Sequence, residues 1–393
     1  MSREGVLNYI ENYWAKITRH HPTDEGTLIG LPHPYVVPRE SGMFQEMYYW
    51  DSFFIAVGLV GTEREGLALG MIENMAALFE RFGIIPNASR FYFTSRSQPP
   101  IFTAYMRMLV ERAGKDQDSA WLARMTDIAI REHETVWLGT EQPHHRMVHR
   151  GLSRYFDINY LDMLASCESG WDHSTRCEDR WLAHLPVDLN SLLYLRETDI
   201  AWALDRLGQP EAAADWRERA VARRETMLDL MWDDEAGFFF DYDYVNQERS
   251  PHVSLAGFYP LWAGLATEAQ AASVVRYWLP ELLRPGGLVT TLTAQEGRQW
   301  AYPNGWAPLQ WIAAAGLERY GYHTEARRVM VTWCATVEAV FAQTGTIYEK
   351  YNVVEPTGEA SVGLYGQLTG FGWTNGVYLD FVRRLDAPPI SGR

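Results

Sequence analysis

The chain has 393 residues, 47% hydrophobic and 13% aromatic, enough apolar surface for a large buried core and against a disordered protein. Its formal net charge of −15 argues against nucleic acid or an anionic membrane surface as partner, since both need a basic face. Three cysteines, Cys167, Cys177 and Cys334, cannot pair completely and have no metal-ligand spacing, so the expected compartment is a reducing cytoplasm.

The start, MSREGVLNYIENYWAKI, carries charge throughout and lacks the apolar stretch of a signal peptide. No run approaches the roughly 18 apolar residues of a membrane span. Helical periodicity dominates from there on. Segments 4–19 and 50–60 read as helices, and REGLALGMIENMAALFERFG puts Leu67, Met71, Met75, Leu78 and Phe82 on one stripe that stops at Gly83. Segments 99–114 and 118–138 follow, then PVDLNSLLYLRETDIAWALDRLG, which opens on a proline and ends at Gly208, and PEAAADWRERAVARRETMLDLMW. The remaining helices are 255–265, TEAQAASVVRYWLPELL, NGWAPLQWIAAAGLERYG, HTEARRVMVTWCATVEAVFAQTG and 372–386, about twelve segments in all. Strand signals are few: FYFTSR near 91 and DEAGFFFDYDY near 235 read as short hairpin pieces. With no flexible linker and no fixed-period repeat, the expectation is one all-α domain over residues 1–393, built from paired helices.

The residues that break helical periodicity lie in long, aromatic, polar loops at 38–51, 85–100, 149–181, 296–308 and 348–376. Such loops are more often functional than accidental, and their alternation with helix pairs predicts that they gather at one end of a helical barrel. No phosphate loop, nucleophile elbow or HExxH occurs. The His pairs at 20–21 and 144–145 lack a companion one turn away, and DDEAGFFFDYD reads as a hairpin turn with solvated acids, so no metal or cofactor is expected. The 16 Trp and 21 Tyr fit either sugar-stacking platforms or aromatic core filler.

What remains is carboxylates among aromatics. Asp172 follows Trp171 in CESGWDHSTRCEDRW, and Glu349 sits between two tyrosines in IYEKYN. A carboxyl kept dry beside an indole holds its proton as a general acid must, while a second, ionised one can activate water. Two such groups converging at a barrel mouth are what glycoside hydrolysis needs; loop acids that cap helices are the plain alternative.

The motifs YYWDSFF, IPN with RSQPP, ESGWDHSTR, LPVDLNSLLY, QWAYPNGWAP, EKYN and GFGWTNGV, in that order over roughly residues 38–380, resemble those of the trehalases, the inverting α-glucoside hydrolases of glycoside hydrolase family 37. The resemblance implies an (α/α)6 barrel, with Asp172 as general acid and Glu349 as general base. It also implies that Trp50, Asp51, Asn87, Arg96, Gln98 and Gly170 hold the sugar, with Phe44, Arg154, Trp171 and Trp306 completing the candidate substrate-binding set. Within ESGWDHSTR, Trp171 would screen the acid from water, Gly170 would let the sugar approach the backbone, and Glu168 or Arg176 would fix the loop.

The chain departs from that pattern at Met43, where trehalases usually carry Arg, at Ala301 in place of Asp, and at Leu364 near the usual position of a Glu. HRGLSRYFD is similar to a segment of the family 63 hydrolases of mannosylglycerate and glucosylglycerate, where Arg154 could meet a carboxylate. The expected partner is therefore a small α-glycoside, trehalose first, with a glycosylglycerate or another α-linked disaccharide such as kojibiose as alternatives. A non-catalytic sugar-binding relative is the alternative of another class.

Overall fold

The computed structural model describes residues 3–114, 118–139, 144–356, 359–360, 363 and 365–387. The helices follow in chain order: α1 (Arg3–Ile17), α2 (Tyr49–Leu59), α3 (Glu65–Phe82), α4 (Phe102–Arg112), α5 (Ser119–Glu132), α6 (Asp162–Ser169), α7 (Val187–Arg206), α8 (Pro210–Met231), α9 (Tyr259–Ala263), α10 (Glu268–Ser273), α11 (Leu279–Leu282), α12 (Ala307–Arg319), α13 (His323–Thr344) and α14 (Gly372–Asp386).

Burial sorts them into two layers. All eleven positions of α2 are buried, which marks a helix surrounded by protein, whereas the longer α8 buries only seven residues along one stripe. The inner ring runs α2, α4, α7, α9, α12, α14 and closes where α14 packs on α2; Phe53 of α2 meets Tyr105 of α4 edge-on at 6.0 Å. Outside it, α3 spans α2 and α4, α5 spans α4 and α7, α8 backs α7, α13 spans α12 and α14, and α1 leans on α13 and α14. The segment α10, the π-helical turn Val274–Trp278 and α11 fills the sixth outer position. This is the expected (α/α)6 barrel. Where α2 and α14 cross, the backbones touch: a Cβ on Gly58 would lie 2.5 Å from Gly376 Cα, so neither position admits a side chain.

The helix starts and stops follow local chemistry. In α3 the predicted stripe is buried at Met71, Met75 and Leu78, and the helix ends at Gly83, whose φ of +71° is the left-handed geometry glycine adopts without strain. DEAGFFFDYDY does form a hairpin, Trp232–Asp233 against Phe238–Phe239, with the Asp233 carboxylate accepting from the Glu235 and Ala236 N–H groups in the turn.

Three expectations need correction. FYFTSR is not a strand: Phe91–Phe93 is a single 3-10 turn, closed by Thr94 Oγ1 donating to the Phe91 carbonyl. Residues 268–282 are not one helix, because Pro280 follows a π-helical turn and restarts the chain as α11. The first residues of CESGWDHSTR are not loop: Cys167–Ser169 end α6, a helix too short and too polar to register as periodic.

Candidate active site

The inner helices all begin at one end of the ring, and the motif loops meet over those N-termini around one cavity. Asp172 and Glu349 both line it, as do Phe44, Trp50, Asp51, Asn87, Arg96, Gln98 and Gly170. The loops thus gather at one barrel end as their spacing suggested.

Asp172 stands three residues beyond the end of α6, after Gly170 turns the chain with φ of +73°. That turn also brings the backbone against an indole: a Cβ on Gly170 would sit 2.8 Å from the Trp50 ring. So Gly170 is needed for Trp50 as much as for any sugar. The loop is anchored from both sides. Glu168 accepts from the Ser97 N–H at 2.7 Å and the Phe156 N–H at 2.6 Å, and pairs with Arg146. Arg176, wholly buried, bridges Asp188 and Asp241 at 2.7 Å each and lies 4.4 Å over the Trp171 ring. Trp171 stacks on Trp300 at 5.5 Å, and Ser174 bridges to Trp300 through the backbone. His173, directly after the acid, holds φ of +57°, the kind of local strain that a tightly anchored loop can impose.

Burial dominates the Asp172 carboxyl and pushes its pKa up to about 7; the Arg96 guanidinium opposes this and Glu349 adds to it. Asp172 therefore carries a proton below neutrality, as a general acid must.

Glu349 is more buried and differently furnished. It directly precedes the strand Lys350–Asn352, which pairs with Asn304–Trp306, and its main-chain N–H donates to the Leu368 carbonyl at 2.9 Å. Its Oε2 accepts from Lys350 Nζ and its Oε1 from the Tyr365 hydroxyl, both at 2.9 Å. Its pKa is raised, because desolvation outweighs the lowering by Lys350 and Tyr365.

At the polar side of the cavity, Gln98 Oε1 accepts from the Trp50 N–H, and Asn87 Nδ2 donates to the Ser97 and Cys167 carbonyls, so both amides are oriented by the backbone. Arg96 pairs with Asp157 at 3.2 Å and lies 5.0 Å over the Phe93 ring. Burial, with Glu349 and Asp172 nearby, lifts the Asp51 pKa well above the carboxylate range. Three carboxyl groups thus share one cavity whose lining cation, Arg96, is already paired.

Three candidates fall outside the cavity lining. Arg154 donates to the carbonyls of His145 and Leu182 and to the Tyr244 hydroxyl, bracing three segments away from the site. Trp171 and Trp306 are fully buried behind it, Trp306 stacked flat on Trp300 at 3.8 Å. The lining indoles are Trp50, Trp300 and Trp373, with Tyr48, Phe93, Cys167, Tyr365 and Phe371 also exposed to the cavity. Most of these missed residues stand inside motifs already singled out. The sequence marks QWAYPNGW as a unit but gives no rule for which of Trp300 and Trp306 faces inward. Among the positions of departure, Met43 is exposed at the rim, Ala301 is buried and Leu364 lies outside the described residues.

The comparisons agree with this geometry. A family model described as Trehalase matches residues 4–162 and 159–386. The periplasmic trehalase of Xanthomonas axonopodis pv. citri (strain 306) is 36% identical over 95% of this chain and 72% of its own length, and the periplasmic trehalase of Pseudomonas aeruginosa is 34% identical over 99% and 78%. Among solved structures, the neutral trehalase Nth1 of Saccharomyces cerevisiae superposes with a TM-score of 0.79 at 30% identity, covering 98% of this chain and 80% of that one. The GH63 mannosylglycerate hydrolase of Thermus thermophilus shares the fold, with a TM-score of 0.71 at 19% identity over 96% and 100%. An (α/α)6 barrel with a buried carboxyl pair at its mouth defines the class, a glycosidase. Within it, the chain belongs to the trehalase family.

The relatives also overturn the cytoplasmic expectation, since the Xanthomonas and Pseudomonas trehalases that match the chain are named periplasmic. The inference from cysteine was weak for a physical reason. Cys167, Cys177 and Cys334 are separate free thiols, raised in pKa by burial and hence poorly reactive, so they do not discriminate between compartments.

Proposed function

We propose that this protein hydrolyses α,α-trehalose to two glucose molecules with inversion, Asp172 acting as general acid and Glu349 as general base. The observation that carries the reading is the unequal furnishing of two carboxyl groups on one cavity. Asp172, held up near 7 by burial, keeps a proton to give; Glu349, with an ammonium and a hydroxyl on its two oxygens, is the one disposed to be ionised. In the reaction Glu349 takes a proton from water as the water oxygen bonds to the anomeric carbon. The glycosidic C–O bond breaks, and its electron pair leaves with the departing oxygen, which takes the Asp172 proton. Attack from the face opposite the leaving group releases one glucose as the β-anomer.

Trp50, Asp51, Asn87, Arg96 and Gln98 are the groups we assign to the sugar that is cleaved, with Phe44 and Gly170 shaping the space around it. Their support is common placement on the cavity and the fixed orientation of Asn87 and Gln98. The whole ring, residues 1–393, is taken as one catalytic domain. The glycosylglycerate alternative loses its residue, because Arg154 is spent on His145, Leu182 and Tyr244.

The test is a panel of α-glucosides and α-mannosides incubated with purified protein, with released monosaccharide measured and its first anomeric form read by NMR. Release of β-glucose from trehalose and not from the mannosides is expected. Activity only on α-mannosides, or release of α-glucose alone, contradicts the reading.

A further inference from the structure

The reading of Glu349 as the base leaves two neighbours with no assigned part, and the geometry around them is specific. Lys350 is the next residue in the chain, wholly buried, with its ammonium 2.9 Å from Glu349 Oε2 and 5.2 Å from the centres of the Trp306 and Tyr365 rings. Tyr365 arrives from a separate loop, lines the cavity and donates to Glu349 Oε1 at 2.9 Å. Each carboxylate oxygen therefore has one fixed donor, and each keeps a free lone pair. The backbone is pinned as well: Trp373 Nε1 donates to the Glu349 carbonyl at 3.1 Å, and the Lys350–Asn352 strand is held by Asn304–Trp306.

We infer that Lys350 and Tyr365 are positioning residues that keep Glu349 ionised and aimed while its water partner comes and goes. The inference rests on the proposed role of Glu349.

The charge inventory shows why such a clamp is needed. Facing Glu349 are Asp51 from α2 and Asp172 from the α6 loop, two acids that disfavour a third charge, and Arg39 from the segment before α2, which favours it from farther off. Burial of Glu349 also disfavours the charge. A buried Lys costs several kcal/mol to dehydrate unless paired, so its presence against this carboxylate is not filler. The faces of the Trp306 and Tyr365 rings lie within cation–π reach of the ammonium. Tyr365 also contacts Phe44 at 5.5 Å, linking the base to the rim.

The experiment is a kcat/KM against pH profile for wild type, Lys350→Met and Tyr365→Phe, with α-glucosyl fluoride as substrate beside trehalose. Fluoride leaves with little help from an acid, so the acidic limb with that substrate reports Glu349 alone. Lys350→Met should move that limb up by about 1–2 pH units, cutting kcat/KM at pH 5 by at least about tenfold, and Tyr365→Phe should move it by about half a unit. A uniform fall in rate with unmoved limbs in both variants overturns the clamp and leaves Lys350 a structural cation. If Lys350→Met does not fold, the Tyr365→Phe limb decides alone: unmoved, it overturns the inference. Wild type inactive on both substrates, or Glu349→Gln at full rate, would instead fail the reading beneath; a working wild type and dead Glu349→Gln with unmoved limbs fails only the clamp.

Discussion

The two carboxyl groups at the mouth of this barrel are both drawn away from water, Glu349 almost wholly and Asp172 in part, and the protein surrounds them in opposite ways. Asp172 sits on a loop whose anchors, Glu168 and Arg176, spend their charges on other partners, so the acid itself receives only distant help from Arg96. Glu349 sits at a strand end with Lys350 and Tyr365 directly on its oxygens. The burial penalty is left largely standing at Asp172 and reduced by direct donors at Glu349. On the proposed reading, one fold prepares a proton donor and a proton acceptor from the same functional group, by placing a cation beside the second and near, but not on, the first.

The most severe way to break that division is to neutralise either member. Asp172→Asn and Glu349→Gln should each lose at least about 10²-fold in kcat on trehalose while remaining folded. The comparison sharpens with an aryl α-glucoside carrying an activated leaving group. Asp172→Asn should recover part of its rate there because little protonation is needed, and Glu349→Gln should recover none, because water still needs a base. Equal recovery by both would mean the roles are not divided as drawn.

Next in size is the anchor that keeps Asp172 poised. Arg176 satisfies two buried carboxylates, Asp188 and Asp241, the latter also accepting from the Val187 N–H at 2.9 Å. Arg176→Met would leave both uncompensated, a loss of about 3–5 kcal/mol of stability. A fall in Tm of at least about 5 °C is expected in thermal unfolding, with activity lost alongside. A variant as stable as wild type would show that the loop is held by Trp171 and Trp300 packing instead.

A subtler contrast is the pH dependence of stability. The folded pKa of Asp172 is raised to about 7, above its unfolded value. Its carboxyl therefore favours the fold below the ordinary carboxylate range, and that contribution is lost as pH rises toward 7. Asp172→Asn removes the loss, so its stability advantage over wild type should grow from pH 4 to pH 7 and then level, reaching about 2–4 kcal/mol in denaturant unfolding. Glu349→Gln should instead be less stable than wild type at pH 7, because stranding the Lys350 ammonium in a dry site outweighs relief of the raised Glu349 pKa. Opposite signs in the two series at pH 7 would show that the cation, and not burial, separates the two groups; equal signs would remove that distinction.

How far these features could be read from sequence depended on whether the signal was local. The helical ring was legible because amphipathic stripes such as Leu67 to Phe82, capped at Gly83, are set by neighbours three and four residues away. Short α6 escaped because eight residues with mixed polarity carry no period. The candidate carboxyl pair came from motif order, not from spacing, since 177 positions separate Asp172 from Glu349 and nothing local joins them. Orientation was the part that stayed hidden. Arg154 and Trp306 turn away from the cavity while Trp300 and Tyr365 turn in, and each choice is decided by long-range packing, as in the flat stack of Trp300 on Trp306.

The smallest effect expected is at the thiols, and it tests whether the acid loop depends on anything beyond its charges and indoles. Cys177 is buried near Arg176, and burial holds its thiol protonated. Cys167 does line the cavity, but what the site uses is its carbonyl, which accepts from Asn87 Nδ2 at 3.1 Å; the thiol is raised by burial and by the nearby Asp172 charge. Serine keeps that carbonyl and nearly the same volume. Cys167→Ser with Cys177→Ser should therefore retain most of kcat, lose no more than about 1–2 kcal/mol of stability, and react with no thiol reagent at the cavity. Wild type should be inactivated only slowly by such reagents, because a protonated thiol is a poor nucleophile, and any inactivation should come from bulk placed at Cys167. A folded but inactive double serine variant would show that a thiol takes part in the chemistry, and the division of labour between Asp172 and Glu349 would have to be redrawn around it.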